Sequence, residues 1–497
     1  MSRNRIILVT AGIMLSLFLA SMEATVVATA MPTIVGQLGG LEHYSWVFSA
    51  YMLTSTTTVP LYGKLSDLYG RRKLYVVAMA LFLTGCIVSG QANTMTQLIL
   101  ARGLQGIGAG GIMPLAFILI GEIFSLEQRA RMQGLFSGVW GVSSIIGPLL
   151  GGFLVDQLSW RWVFYVNLPP GLLAAGLVAF AWRDQLHGHG KPVVDYAGAA
   201  LLMASVVTLL LGLTLESGEI SGVSSSWILI AASILLFSLL LWVESRAADP
   251  ILPLHLFRER LFTISVTHGV LSGWAMFGSI SFIPLFVQSV LGTSATQAGI
   301  TIAPMLLGWV TASIIGTRLL LKVGYRRLAI VGTGSLAVGA FLMSTADANI
   351  NQTLLMVFVS LMGIGMGFSI PPFLIAVQTT VERRYLGTAT SSLQFSRSMG
   401  GTLGVSVMGA ALSTRLIDNL AASGLDLELV TQLLNPLPGS EALLTNAVRV
   451  AVANAINIVF VIAFVAAFLA WIATLFSPRR DLRDQLPERD ASLVSAD

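Results

Sequence analysis

The feature that most constrains this chain is a series of fourteen long apolar segments joined by shorter polar stretches. A helix of about 20 apolar residues crosses the hydrocarbon core of a bilayer, and its backbone groups bond within the helix itself. The alternating pattern of a transmembrane barrel is absent from the sequence. The sequence therefore predicts an all-α polytopic membrane protein. The predicted spans lie at 7–30, 44–62, 73–90, 97–120, 132–155, 162–182, 196–215, 225–243, 262–288, 298–317, 328–345, 353–376, 386–411 and 450–476.

The basic residues orient these spans. With the N-terminus inside, 23 of the 28 Lys and Arg residues fall on inner loops and tails, counting Lys73 at the inner edge of the third span. The outer loops hold Arg161, Arg415 and Arg449, while Arg102 and Arg397 lie within spans. Cytoplasmic loops of membrane proteins carry an excess of Lys and Arg. We therefore expect a multi-pass protein of the cell membrane with both termini in the cytoplasm, and we attribute the net charge of +4 to topology rather than to nucleic-acid binding.

Several chemistries find no support in the sequence. Cys86 is the only cysteine, and the five histidines show no metal-ligand spacing, so no metal site or other cofactor is predicted. No phosphate-binding Gly-x-x-x-x-Gly-Lys-Ser/Thr loop and no paired catalytic groups are present. A non-transport membrane protein or enzyme is therefore the weakest alternative.

Two stretches of the chain repeat each other. Gly106 is followed eight residues later by Pro114, and Gly363 is followed eight residues later by Pro371. Downstream, two glycine triplets share the spacings thirteen and four, and they are Gly134, Gly147 and Gly151 in one stretch and Gly387, Gly400 and Gly404 in the other. The fourth and fifth spans thus correspond to the twelfth and thirteenth, in the same direction.

A parallel repeat of six-helix halves around a midplane site is a known transporter architecture. It predicts an N-terminal half at 1–190, a two-helix insert at 191–260, a C-terminal half at 261–477 and a cytoplasmic tail at 478–497.

An inner loop carries a cluster of charges and glycines after the second span. Its members are Gly63, Asp67, Gly70 and Arg71, with Glu122 at the inner end of the fourth span. Asp67 and Arg71 stand four residues apart, within helical pairing reach, and Glu122 is a second candidate partner for Arg71. The cluster predicts an inner-face latch that holds the halves in one state, and the alternative is a plain basic loop.

The fifth span is rich in small residues at helical spacing, which let helices pack backbone to backbone. They are Gly138, Gly141, Gly147, Gly151 and Gly152, with Pro148 permitting a bend. A static packing role is the alternative to a role in transport.

Together these stretches resemble the motifs of the major facilitator superfamily. The inner loop resembles its loop motif, Arg102-Gly-Leu-Gln-Gly106 its fourth-helix arginine motif, and the fifth span its antiporter motif. Further motifs resemble the fourteen-helix drug:proton antiporters of EmrB/QacA type, namely Met22–Val27 with Pro32, and Trp160–Phe164 with Asn167 and Pro169. The resemblance implies a major facilitator fold of two six-helix halves plus two extra central helices. The family usually has aspartate where this chain has Glu23.

Glu23 is the one acid well inside a predicted span. An intramembrane carboxylate is costly and marks a functional site by default. Glu23 and Arg102 both lie about 8–9 Å from the outer ends of their spans, at 1.5 Å per residue. We expect them to share a level, either as the proton-coupling pair or as a structural ion pair. His268 and Arg397 are the other in-span candidates, and they are interpreted as possible cavity residues or as structural ones.

The function that the resemblance implies is proton-coupled export of amphipathic drugs or other small hydrophobic compounds by alternating access, which underlies multidrug efflux and antibiotic resistance. A dedicated exporter of a lipid, siderophore or self-made natural product is the alternative, and an uptake symporter is a weaker one. The expected partners are a small-molecule substrate, protons and the lipid bilayer, and a monomer is favoured.

Overall fold

The computed structural model describes residues 2–39, 44–182, 195–214, 224–247, 250, 254–293, 295–422 and 446–479. Within these ranges the chain is helical and contains no strand. The α-helices described are α1 (Arg3–Leu38), α2 (Tyr44–Tyr69), α3 (Arg71–Gly90), α4 (Met95–Ile123), α5 (Leu126–Gln157), α6 (Trp162–Tyr165), α7 (Leu168–Ala181), α8 (Tyr196–Thr214), α9 (Ser224–Glu244), α10 (Arg260–Ser289), α11 (Ala295–Val323), α12 (Tyr325–Ser344), α13 (Gln352–Thr380), α14 (Leu386–Ala422) and α15 (Asn446–Leu475). Most of the predicted tail at 478–497 lies outside the described residues.

Each of the fourteen predicted segments coincides with a helix, except that the sixth is divided into α6 and α7. In the part of the chain that the structure describes, ten helical segments are long and apolar enough to cross a membrane. The helices that fall short are α2, α5, α8 and α14. Ser and Thr side chains interrupt the apolar runs of α2 and α14, and the apolar part of α8 is short, at Ala197–Leu213. An all-helical membrane fold is thus established, while the count of fourteen spans stays a prediction.

The helices form two compact units. The first contains α1 to α9 together with Val377–Phe395, which joins the end of α13 to the start of α14. The second contains α10 to α12, the rest of α13 and α14, and α15. The division at residues 190 and 260 that the sequence predicts is not decided by these units and remains a prediction.

Glycines let α4 lie directly against its two neighbours in the first unit. A methyl group on Gly106 would stand 2.5 Å from the carbonyl oxygen of Tyr51 on α2. One on Gly108 would stand 2.5 Å from the carbonyl oxygen of Ala78 on α3. Both distances are far below van der Waals contact, so α4 is wedged between α2 and α3 backbone to backbone.

The second unit repeats this arrangement. A methyl group on Gly363 of α13 would collide with the carbonyl oxygen of Met305 on α11. One on Gly365 would stand 2.7 Å from the carbonyl oxygen of Gly332 on α12. The glycines that match in the sequence therefore make matching contacts, and α13 lies between α11 and α12 as α4 lies between α2 and α3.

The second pair of matched helices follows the same rule. Gly151 of α5 faces Val26 of α1, whose carbonyl oxygen is 3.0 Å from the position of an added methyl group. Gly404 of α14 faces Trp274 of α10 at 2.8 Å by the same measure. In the first unit α5 packs on α1, and in the second unit α14 packs on α10. By these contacts α1 corresponds to α10 and α5 corresponds to α14.

Candidate functional site

The carboxylate of Glu23 is buried in the first unit and paired with an arginine. Its side chain is 0% exposed and projects from α1, and its Oε1 lies 2.5 Å from Nη1 of Arg102 on α4. Arg102 is itself only 1% exposed. The expected pairing of these residues is therefore present in the structure, whereas their role in transport stays a proposal.

Arg102 is held by more than its ion pair. Its Nη1 also donates to Oε1 of Gln105 at 2.6 Å, and its Nε donates to the carbonyl oxygen of Val47 at 3.3 Å. The guanidinium carbon stands 4.3 Å from the centre of the Tyr51 ring, a cation–π distance. Arg102 consequently keeps polar contacts on α2 and on its own helix whatever the charge of Glu23.

The second carboxylate oxygen is bound from the sixth segment. Asn167 lies between α6 and α7, is 0% exposed, and donates from Nδ2 to Oε2 of Glu23 at 3.0 Å. On the other side of the cluster, Gln105 donates from Nε2 to Sγ of Cys86 at 3.1 Å. Glu23 is therefore enclosed by donors from α4 and from the break in the sixth segment.

This arrangement suits a site that exchanges a proton. A buried ion pair is electrically neutral overall, and removing one charge leaves the other uncompensated in a medium of low polarity. Adding a proton to Glu23 removes its negative charge and leaves the positive charge of Arg102 uncompensated. The protonation state of one carboxyl group thus changes the bonding of α1, α4 and the sixth segment together.

The sequence reasoning identified Glu23 and Arg102 but assigned no contact to Asn167, Gln105 or Tyr51. Gln105 and Asn167 stand inside motifs quoted for the family resemblance, and a polar amide in an apolar segment is the signal that could have found both. The contact with Tyr51 gave no comparable signal, because aromatic residues near span ends are ordinary in membrane proteins.

The matched positions of the second unit lack these groups. By the matched glycines, Val359 stands at the position that corresponds to Arg102, and Met362 stands at the position that corresponds to Gln105. The side chains of Val359 and Met362 are fully buried in the apolar core. Matching Val26 with Trp274 places Leu271 at the position of Glu23. The repeat thus reproduces the helix packing but not the polar cluster.

His268 and Arg397 lie together in the second unit. His268 of α10 is 2% exposed, and its ring centre is 4.9 Å from that of Phe373. The next residue, Gly269, abuts Ser396, the neighbour of Arg397 on α14. Arg397 is the charge that acts on His268. The structure brings these candidates together and leaves their role open.

Asp67, Arg71 and Glu122 of the predicted inner-face latch contact one another in the first unit, and their role as a latch stays a prediction. Arg71 pairs with Asp67 at 2.9 Å and with Glu122 of α4 at 3.0 Å. The oxygens of Asp67 also accept hydrogen bonds from the backbone amides of Gly387, at 3.1 Å, and Thr388, at 2.9 Å. These amides are at the first turn of α14, where free N–H groups and the helix dipole favour a carboxylate.

Two glycines of this cluster have visible structural reasons. At Gly63, α2 passes close to the backbone of α14, because a methyl group added to this glycine would stand 2.8 Å from the carbonyl oxygen of Gly387. Gly70 joins α2 to α3 with φ +92°, a conformation that favours glycine. Asp67 lies beyond the predicted span at 44–62, and burial raises the pKa of its carboxyl to about 6, against the opposing effects of Arg71 and the α14 amides.

The glycines of the fifth span behave differently from one another. Gly151 is packed against α1, whereas an added methyl group at Gly138 or Gly152 would meet none of the described atoms within 4 Å. Gly147 is buried, and Gly141 lies partly exposed within α5. The side chain of Pro148 lies outside the described residues.

Residues 13–405 match the family model described as Major Facilitator Superfamily. The chain belongs to this family. Major facilitator proteins are transporters that handle small-molecule substrates within the membrane, so the protein is a multi-pass transporter rather than an enzyme.

Similar proteins in this superfamily include two from Bacillus subtilis (strain 168). The chain is 40% identical to the "Multidrug transporter protein MdtP", over 83% of this chain and 76% of that protein. It is 37% identical to "Multidrug resistance protein 3", over 81% of this chain and 78% of that protein. The crystal structure of the human organic anion transporter MFSD10 (TETRAN) has the same fold, with a TM-score of 0.62, 14% identity and coverage of 94% and 100% of the two chains.

Proposed function

We propose that this major facilitator protein is a proton-coupled secondary transporter that exports amphipathic drugs or other small hydrophobic compounds by alternating access. The observation that carries the proposal is the fully buried carboxylate of Glu23, bound by Arg102 and Asn167. Ionisable groups inside membrane segments are rare and mark proton relays or substrate pathways. The printed names of the Bacillus relatives, a multidrug transporter and a multidrug resistance protein, support export of drugs.

The wider proposal follows the sequence reasoning. It assigns the protein to the fourteen-helix EmrB/QacA-type branch, in the cell membrane, with both termini cytoplasmic and as a monomer. Six-helix halves at 1–190 and 261–477 flank the two-helix insert at 191–260. The positive-inside distribution and the matched glycine contacts of the two units support this organisation.

In the proposed cycle, Glu23 releases its proton to the inside and takes one up from the outside. When the carboxylate is ionised, it draws donors from α4 and the sixth segment towards α1. When Glu23 is neutral, Arg102 retains Gln105 and Val47 as acceptors. The exchange of bonding partners changes the relative stability of the conformations that the transporter alternates between.

The latch supplies the second conformational element of the proposal. Asp67 bonds the first turn of α14, and Arg71 joins Asp67 to Glu122. Opening the inner side requires these bonds to break. The positions of Gly138, Gly141, Gly147, Pro148, Gly151 and Gly152 on α5 are proposed as the surface that slides, with Gly151 as its contact to α1.

The decisive experiment measures movement of a cationic dye in proteoliposomes under an imposed pH gradient. We expect the parent protein to move dye only with the gradient and Glu23→Gln to lose that movement. Glu382→Gln is the matched control, because Glu382 bears an exposed side chain that is 67% accessible and pairs only with nearby Arg384 among the ion pairs described.

Each outcome of this experiment tests a different part of the proposed function. Dye movement by the parent that ignores the pH gradient refutes proton coupling. Equal gradient-driven movement by the parent and Glu23→Gln refutes Glu23 as the coupling group. Failure to move any of several dyes refutes multidrug export and favours a dedicated exporter of a lipid, siderophore or self-made natural product.

A further inference from the structure

The sixth segment is interrupted where Asn167 stands. Pro169 and Pro170 follow it and have no N–H groups to continue the helical hydrogen bonds of α6. The side chain of Asn167 bridges this break, since Nδ2 donates to the carbonyl oxygens of Val163 and Phe164, each at 3.3 Å. Its amide therefore adds a side-chain donor to two carbonyls at the end of α6, and the carbonyl of Phe164 also accepts from the backbone N–H of Asn167 at 3.2 Å.

The same nitrogen also reaches Glu23 on α1, at 3.0 Å from Oε2. Three oxygen acceptors around one amide nitrogen fix the orientation of the amide group. Its oxygen, Oδ1, is buried and accepts no hydrogen bond from the described residues. A buried acceptor without a donor is unfavourable, so Asn167 holds an unused hydrogen-bonding capacity beside the carboxylate.

Both oxygens of Glu23 face donors. A proton on Oε2 would point at the N–H of Asn167, and a proton on Oε1 would point at the N–H of Arg102. A proton that occupies the lone pair accepting from Asn167 or from Arg102 breaks that bond. Arg102 is anchored by Gln105, Val47 and the face of Tyr51, whereas the other bonds of Asn167 go to the carbonyls of the helix break.

We propose that Asn167 is a positioning residue that transmits the protonation state of Glu23 to the break between α6 and α7. Its Nδ2 binds the ionised carboxylate. Once a proton adds to Oε2, that bond is lost, and the amide turns to accept the new O–H at Oδ1, leaving the carbonyls of Val163 and Phe164. The inference rests on the proposed function, which makes Glu23 the group that takes up a proton.

The titratable and charged groups that face Glu23 do not connect it to the break between α6 and α7. Among the described residues, the titratable or charged ones facing it are Arg102 from α4, Tyr51 from α2 and Cys86 from α3. None of them belongs to the broken segment. Asn167 alone among the described partners of Glu23 joins the carboxyl group to a helix interruption.

The test titrates Glu23 directly, without substrate or gradient. Infrared difference spectra of the full-length protein in nanodiscs record the carboxylic C=O band as pH is lowered, and Glu23→Gln identifies the band by removing it. Asn167 binds the charged carboxylate through Nδ2 and the neutral carboxyl group through Oδ1, and the bond to the charged group is the stronger, so the titration midpoint in Asn167→Ala should move upward by about one pH unit. Asn167→Ser, with a shorter polar side chain, should give a smaller shift in the same direction.

Asn457→Ala is the matched control. Asn457 of α15 also donates from Nδ2 to carbonyls at a helix end, those of Ser344 at 2.6 Å and Ala346 at 3.4 Å. No carboxylate is among these acceptors. We expect this substitution to leave the Glu23 midpoint unchanged.

Hydrogen exchange provides a readout that needs no variant at Asn167. Backbone amides of 162–172 in the parent should exchange faster below the Glu23 midpoint than above it, and those of Asn167→Ala should exchange fast at both. An unchanged midpoint in either folded Asn167 variant, or parent exchange that does not respond to the midpoint, overturns the inference. A shifted midpoint in a protein that moves dye without the gradient would instead uphold the inference while refuting the proposed function.

Discussion

Replacing Arg102 by methionine should destabilise the protein mainly because it leaves the buried charge of Glu23 without its ion-pair partner. Arg102 and Glu23 are 1% and 0% exposed and 2.5 Å apart. Removing one partner of a buried pair costs about 3–5 kcal/mol, because the remaining charge is uncompensated. Methionine keeps much of the length of the side chain, so the loss of packing is small by comparison.

A double-mutant cycle separates the charge from the packing. Glu23→Gln alone leaves Arg102 with the acceptors Gln105 and Val47 and with the Tyr51 ring. We expect it to cost about 1–2 kcal/mol. The double variant Glu23→Gln/Arg102→Met buries no stranded charge, so its loss should also be near 1–2 kcal/mol, below that of Arg102→Met alone.

Thermal unfolding in detergent measures these differences. Cys86 is the only cysteine of the chain and is 0% exposed, so a thiol-reactive fluorescent dye reports on unfolding. At about 2 °C per kcal/mol for a large unit, Arg102→Met should lower the midpoint by roughly 6–10 °C, and tryptophan fluorescence should give the same midpoint. If the double variant melts as low as Arg102→Met, the penalty comes from lost packing and the reasoning is wrong.

Two further predictions concern the latch and the glycine contacts. Because the pKa of Asp67 is raised from 3.8 to about 6, its protonated form is favoured by folding, and the parent should lose up to about 3 kcal/mol relative to Asp67→Asn as pH rises from 4 to 7. A difference that is constant or grows with pH would contradict this assignment. Gly363→Ala should cost about 1–3 kcal/mol by overpacking against Met305, whereas Gly152→Ala, with open space among the described atoms, should be neutral or slightly stabilising. Equal losses in the same thermal assay would refute the packing argument.

Much of the helical architecture was predictable because long apolar runs leave the backbone one dominant solution in lipid. The glycine spacing predicted which helices correspond, since close backbone approach admits hardly any other residue. The division of the sixth segment was harder to foresee. Pro169 alone is compatible with a helix start, and the break becomes evident only once Asn167 is seen supporting the carbonyls before it.

The candidate site was partly predictable. The rarity of charges in apolar segments selected Glu23 and Arg102, and equal depth suggested their pairing. Sequence spacing does not give the rotation of one helix relative to another. The hydrogen bond from Asn167 to Glu23 therefore could not be predicted from the sequence. The same limit hid the amides of Gly387 and Thr388, because Asp67 meets them more than three hundred residues away along the chain.

The unequal halves of the repeat have an electrical consequence. Where the first unit carries Glu23 and Arg102, the matched positions of the second carry Leu271 and Val359. An intact pair has no net charge, but a protonated Glu23 leaves the cation of Arg102 exposed to the membrane potential, which acts with about 2.3 kcal/mol per charge for each 100 mV crossed. At these matched positions the membrane potential therefore acts on a net charge in the first unit when Glu23 is protonated, and on none in the second.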